Sequence, residues 1–154
     1  MTKFPRTPPT LGLIFPAYPL YFVTCCTYRR RSYLANDRAH TALIEFGQTA
    51  EKKFAIAIGR YILMPDHLHL FVRGSDDFVL SKWIGTLKRV LAKQLDASSH
   101  DPFWQRGFFD HLLRSSESYS EKWNYVRENP VRAGLVKSAD EWPYAGEIVP
   151  IYFD

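Results

Sequence analysis

Apolar and polar residues alternate in some stretches of this chain and recur every three to four positions in others. The clearest alternation is Tyr61-Ile62-Leu63-Met64-Pro65-Asp66-His67-Leu68-His69-Leu70-Phe71-Val72, which reads as two strands joined by a tight turn at Met64-Pro65-Asp66. Side chains on a strand alternate between faces, so Leu68, Leu70 and Val72 share one face and His67 and His69 share the other. Residues 21–27, rich in Tyr, Phe, Val and Thr, predict a first strand. Residues 55–63 and 67–72 predict the second and third. Asn36 caps an expected helix running to about residue 53, with Ala39, Ala42, Leu43, Phe46, Ala50 and Phe54 at helical spacing. A second helix is expected over residues 78–95, with Leu80, Ile84, Leu87, Leu91 and Leu95 as its buried stripe. Residues 97–102 break the pattern. Phe103-Trp104-Gln105 then reads as an aromatic loop, and residues 107–113 as a fourth strand. Ser116 caps a third expected helix over residues 117–128, stopped by Pro130.

The order strand, helix, strand, strand, helix, strand predicts an α+β fold: a ferredoxin-like βαββαβ antiparallel sheet with two helices on one face, followed by a C-terminal helix. That arrangement leaves the second sheet face open, and His67 and His69 point there. A length of 154 residues suits one domain with a packed core. We expect residues 1–154 to form it, with residues 1–18 as an extended N-terminal arm and residues 142–154 as a C-terminal tail.

Composition narrows the class. Apolar residues make up 46% of the chain, enough for a globular interior. No run of about 18 apolar residues offers a membrane span. The proline-punctuated N-terminus lacks the apolar core of a secretory signal. Cys25 and Cys26 are adjacent, and on a strand they point to opposite faces, so they do not suit a mutual disulfide. A reduced, cytoplasmic protein is expected. The 20 Lys and Arg outweigh 16 Asp and Glu, for a net charge of +4. That permits nucleic acid as a partner without demanding it. Arg29, Arg30 and Arg31 at the end of the first strand suit either a solvated loop or a phosphate contact. Lys82, Arg89 and Lys93 form a basic edge on the second helix, which is either a solvated face or the flank of a nucleic-acid path.

Two imidazoles on one strand face can grip a metal ion, though the same spacing also suits two solvated histidines. On the third helix Tyr119, Trp123 and Val126 form an apolar stripe, while Ser118, Lys122, Tyr125 and Asn129 form another. Tyr125 lies about 200° around the helix from Trp123, off the apolar stripe. Asn129 follows one turn later. Alone, these are an exposed tyrosine and a helix-ending asparagine. Together with a histidine-bound metal they supply a nucleophile and an electrophile. A phenol with a pKa of about 10 is a weak nucleophile until its phenolate is stabilised. A divalent metal polarises a phosphodiester and neutralises charge in the transition state. Phenolate attack on the phosphate gives a covalent phosphotyrosine and releases a sugar hydroxyl, so strands can be rejoined without ATP.

Three segments resemble the REP-associated tyrosine transposases, a branch of the single-tyrosine transposases of the His-hydrophobic-His endonuclease class. Met64-Pro65-Asp66-His67-Leu68-His69-Leu70 is similar to their metal motif. Phe103-Trp104-Gln105-Arg106-Gly107-Phe108-Phe109-Asp110-His111 is similar to their aromatic strand motif. Tyr125-Val126-Arg127-Glu128-Asn129-Pro130-Val131-Arg132-Ala133-Gly134-Leu135-Val136 is similar to their catalytic helix and its exit. The resemblance implies His67 and His69 as metal ligands, Asn129 as the third ligand and Tyr125 as the nucleophile. It implies Mg²⁺ or Mn²⁺ as cofactor. It implies single-stranded DNA with hairpins, of the kind found in repeated extragenic palindromes, as the partner, cut and rejoined through a 5′-phosphotyrosine intermediate. Imidazole is not the ligand Mg²⁺ prefers, so Mn²⁺ is expected to bind more tightly. The sequence leaves a homodimer open, and with it the choice between a tyrosine helix docked on its own sheet and one docked on a partner's. Two other readings compete. One is a non-catalytic ferredoxin-like module that binds nucleic acid by aromatic stacking; the other is a metal hydrolase that uses water and has no need of Tyr125.

Overall fold

The structure is a computed structural model that describes residues 18–96 and 102–153. The expected N-terminal arm, except for Tyr18, and most of the break at residues 97–102 lie outside the described residues. Four antiparallel strands follow the expected order in space: β1 (Leu20–Cys26), β2 (Ala57–Met64), β3 (His67–Arg73) and β4 (Phe109–Leu113), arranged β4-β1-β3-β2. That is the ferredoxin-like sheet. β2 and β3 form a hairpin whose last pair is Met64 with His67, so Pro65 and Asp66 make a two-residue turn.

Helices α1 (Asp37–Phe54) and α2 (Leu80–Gln94) cover one face. Asn36 caps α1 as expected, its side chain accepting from the backbone N–H of Ala39 at 2.9 Å. Ala39, Ala42 and Leu43 of α1 and Trp83, Ile84, Leu87 and Leu91 of α2 pack on Val23, Cys25, Leu68, Leu70 and Val72. The aliphatic face of β3 is therefore the helix-bearing face, and period 2 sends His67 and His69 to the other side.

That other side is not left open. Helix α3 (Ser116–Val126) lies on it, and Tyr119, Trp123 and Val126 pack with Leu20, Ile62 and Phe71. The Tyr119 and Phe71 rings are 4.7 Å apart. Three apolar side chains on one helix face need cover, and this sheet face supplies it. The tyrosine helix thus docks on its own sheet. Val149 and Ile151, from the segment expected to be a tail, seal the same layer. Between them and α3, β5 (Ala145–Glu147) adds a fifth strand at the β2 edge. The expected tail is sheet and core.

A bulge in β2 makes room. Ile58 pairs with Val72 and Tyr61 with Leu70, so β2 carries one extra residue there. Gly59 sits in the bulge, where a Cβ would lie 2.6 Å from Tyr119 Oη and 2.7 Å from Ile151 Cγ1. Tyr119 Oη accepts a hydrogen bond from the Arg60 N–H at 3.0 Å. The α3 layer approaches the sheet closely at this point.

The helix after Ser116 also differs at its ends. Ser115, not Ser116, is the cap, in a reciprocal capping box with Ser118. The helix stops at Val126, and Pro130 does not simply end it. Pro130 sits in the first turn of a short helix α4 (Asn129–Arg132), where its missing N–H costs nothing.

Candidate functional site

β3 presents His67 and His69 side by side, their rings 4.7 Å apart and edge to face. Each ring uses Nδ1 for a hydrogen bond. His67 Nδ1 lies 2.8 Å from Asp66 Oδ1, and His69 Nδ1 lies 2.8 Å from Thr24 Oγ1. Thr24 is the residue paired opposite His69 across the β1–β3 ladder. Phe22 stacks on His69, with centroids 5.1 Å apart. Among the described residues no hydrogen bond engages Nε2 of either ring.

Burial pushes the His69 imidazole down to about 3, and the neighbouring His67, Lys122, Arg30 and Arg132 add to the effect. His69 is neutral at physiological pH, with a lone pair to donate. Burial works against ionisation of Asp66, but hydrogen bonds from His67 and Arg30 outweigh it and hold its carboxyl below the ordinary value.

The third helix closes the site from above. Lys122 reaches over the Phe22 ring at 5.3 Å. Tyr125 is 65% exposed, off the buried stripe, as its position on the helix predicts. The Arg132 guanidinium stacks 4.0 Å above the Tyr125 ring and donates to the Tyr125 carbonyl at 2.8 Å. The same Nη2 donates to Asn129 Oδ1. Arg132 therefore ties together the expected nucleophile and the expected third ligand. Its charge also reaches His69, as does that of Lys122, which brings the α3–α4 junction to the histidine face.

The expected basic residues separate. Arg30 enters the site: its Nε donates to Asp66 Oδ2 at 3.0 Å and its Nη2 lies 3.3 Å from His67 Nδ1. Arg29 lies over Tyr28, 5.2 Å from its ring, and Arg31 donates to Tyr33 Oη at 3.4 Å. Lys82, Arg89 and Lys93 are exposed on α2, across the sheet from the histidines. Arg89 turns back to Thr86 Oγ1 at 3.2 Å. Sequence reasoning passed over Arg132 and took Lys122 only as part of the Tyr125 stripe; the signal for both was their spacing of one to two turns from Tyr125 and Asn129. A second concavity of about 560 Å³ flanks α3 on the side away from Tyr125, between Arg60, Trp123, Arg127 and Trp142. Its cations are neutralised locally, Arg60 by Glu147 at 3.6 Å and Arg127 by Asp140 at 2.7 Å.

Among the described residues no three His, Cys, Asp or Glu side chains gather to hold a metal. The two imidazoles offer nitrogen donors side by side, and the expected third donor, the Asn129 amide oxygen, is held by Arg132. That set fits a divalent ion that completes its shell with water or phosphate oxygens. Both imidazoles have Nδ1 tied back and Nε2 left to donate, the usual outer arrangement of metal-binding histidines.

A ferredoxin-like sheet bearing a histidine pair, with a tyrosine helix laid across the same face, defines the class of single-tyrosine His-hydrophobic-His domains. The family described as Transposase IS200 like matches residues 18–129, and this chain belongs to it. A REP-associated tyrosine transposase of Escherichia coli is 32% identical over 92 residues, a match covering 57% of this chain and 52%, about half, of that protein's length. A relative from Haemophilus influenzae is 26% identical over 140 residues, 82% of this chain and 78% of its own. A solved structure of a REP-associated tyrosine transposase bound to a REP hairpin shares the fold, with a TM-score of 0.63 at 23% identity over 94% of this chain and 82% of that one. No described helix is long and apolar enough to cross a membrane.

Proposed function

We propose that this protein cuts and rejoins single-stranded DNA at hairpin-forming repeated palindromes through a covalent phosphotyrosine intermediate. The observation that carries this reading is the docking of α3 on the histidine face of its own sheet, with the charges of Lys122 and of Arg132, the residue that holds Tyr125 and Asn129, reaching His69. The relative solved with a REP hairpin lends the hairpin as substrate class.

His67, His69 and Asn129 would hold Mg²⁺ or Mn²⁺. When bound, such an ion supplies a Lewis acid that polarises a phosphoryl oxygen. The chain's own residues do the rest. Tyr125 loses its phenol proton to solvent and Oη attacks the scissile phosphorus. The Oη–P bond forms as the P–O3′ bond breaks, and the 3′ oxygen leaves as a hydroxyl after taking a proton from water. The protein stays attached to the 5′ end. Resealing is the reverse, with a 3′ hydroxyl as nucleophile and Tyr125 as leaving group. Lys122 and Arg132 place positive charge where the DNA phosphates pass.

Tyr125→Phe removes one oxygen from an exposed ring, so folding and hairpin binding should persist while the covalent adduct disappears. Denaturing electrophoresis with DNA labelled on either side of the cut, followed by peptide mapping, reads this directly. An adduct on another tyrosine, or cleavage by the Phe variant, contradicts the mechanism.

A further inference from the structure

One contact in the site has a chemical direction. The ionised Asp66 carboxylate only accepts, and its Oδ1 lies 2.8 Å from His67 Nδ1. The proton of a neutral His67 therefore belongs on Nδ1. Arg30 Nη2, at 3.3 Å, also approaches this nitrogen, but a guanidinium only donates and the nitrogen cannot both give a proton to Asp66 and accept one. The shorter contact to the carboxylate decides, and Arg30 Nε secures the other carboxylate oxygen at 3.0 Å. His69 has a different partner. The Thr24 hydroxyl, 2.8 Å from its Nδ1, can rotate to give or take a proton. The pair is thus asymmetric: one ring is held in a fixed tautomer, the other in an adaptable one.

We infer that Asp66, clamped by Arg30, is a positioning residue that fixes His67 as the Nδ1–H tautomer and so presents its Nε2 lone pair to the metal. This rests on the reading of His67 and His69 as ligands. It gives Arg30 a place in the metal site, and it sets Arg30 apart from Arg29 over Tyr28 and Arg31 on Tyr33. Backbone geometry serves the clamp. Arg29 and Arg30 both adopt left-handed conformations, with φ of 56° and 55°, a costly pairing for residues with a Cβ. Two backbone bonds hold the turn against this loop, Thr27 N–H to the Asp66 carbonyl and Leu34 N–H to the Pro65 carbonyl, each 3.0 Å.

The test begins with the metal-free full-length protein. Two-bond ¹⁵N–¹H correlation of ¹⁵N-histidine-labelled protein should find His67 as the Nδ1–H tautomer in the wild type. A wild-type His67 protonated on Nε2 overturns the inference, whatever the variants do. In Asp66→Asn the amide can donate to Nδ1 instead, so the Nε2–H form should appear. Mn²⁺ affinity, read by electron paramagnetic resonance without DNA, should fall by about 10- to 100-fold in that variant. Arg30→Gln should lose Mn²⁺ affinity in the same direction by a smaller factor. His67→Ala tests the ligand reading separately. If His67→Ala loses Mn²⁺ and Asp66→Asn keeps it within about threefold, the inference fails and the ligand reading stands. If His67→Ala binds Mn²⁺ normally, the ligand reading itself fails.

Discussion

Burial pushes the Cys25 thiol and the Tyr119 phenol each up to about 12, from ordinary values of 9.0 and 10.0. The folded chain keeps both protonated where the unfolded chain ionises. Stability is therefore full below pH 9 and falls as pH rises towards 12, by up to about 1.4 kcal/mol per unit for each group beyond its unfolded value. Urea midpoints compared near neutrality and in strong alkali should record the loss, and Cys25→Ala should remove part of it. A flat profile would contradict the burial of these groups. Residue chemistry was legible in the sequence where it followed from period alone. His67 and His69 on one face, opposite Leu68 and Leu70, needed nothing but strand alternation. Tyr125 off its helix stripe needed nothing but the helical repeat. Arg30 was not legible as a partner of Asp66, because its aim depends on two left-handed residues in a row, and no pattern of apolar and polar positions encodes those.

At the scale of elements, α3 carries the site and two features hold it. The Ser115–Ser118 capping box satisfies the first turn, and Trp123 anchors the helix against Phe71 with ring centroids 6.3 Å apart. Ser115→Ala should cost about 1 kcal/mol. Trp123→Ala should cost about 3–5 kcal/mol, since a buried aromatic leaves a cavity. Chemical denaturation measures both, and the tryptophan variant should lose adduct formation even under conditions where it remains folded. The β2–β3 hairpin, α1 and α2 were readable because each repeats its period over many residues. β5 was not. It has three residues, Ala145, Gly146 and Glu147, too few to show alternation, and it exists because β2 offers an edge. The covered second face escaped for the same reason: the apolar stripe of α3 was visible, but its landing place is a tertiary fact.

On the whole molecule, positive charge divides between the two faces of the sheet. Lys122, Arg132 and Arg30 gather at the histidines, while Lys82, Arg89 and Lys93 lie on α2 behind the sheet. Each phosphate neutralised releases counterions, so hairpin affinity should fall steeply with salt. Lys122→Gln should weaken all single strands alike and lower the salt slope by about 1. The α2 cations should leave that slope unchanged if the strand crosses only the histidine face. A drop in slope on their removal would restore the basic edge of α2 to the DNA path.

Arg73, wholly buried at the end of β3, gives its Nε to the Tyr18 carbonyl at 3.0 Å and its Nη1 to the Tyr152 carbonyl at 2.6 Å, with Phe153 against its guanidinium at 4.8 Å. One side chain thus clasps the chain where it enters the sheet and where it leaves. Neither end can peel away without loosening the other, so the two should fray as a single unit. Amide hydrogen exchange should report matched opening free energies for the segments beside Tyr18 and Tyr152, and Arg73→Leu should set both loose together. A molecule pulled from these two points would load the clasp before it loaded the sheet, and β1 would be the first strand to feel the clasp give way.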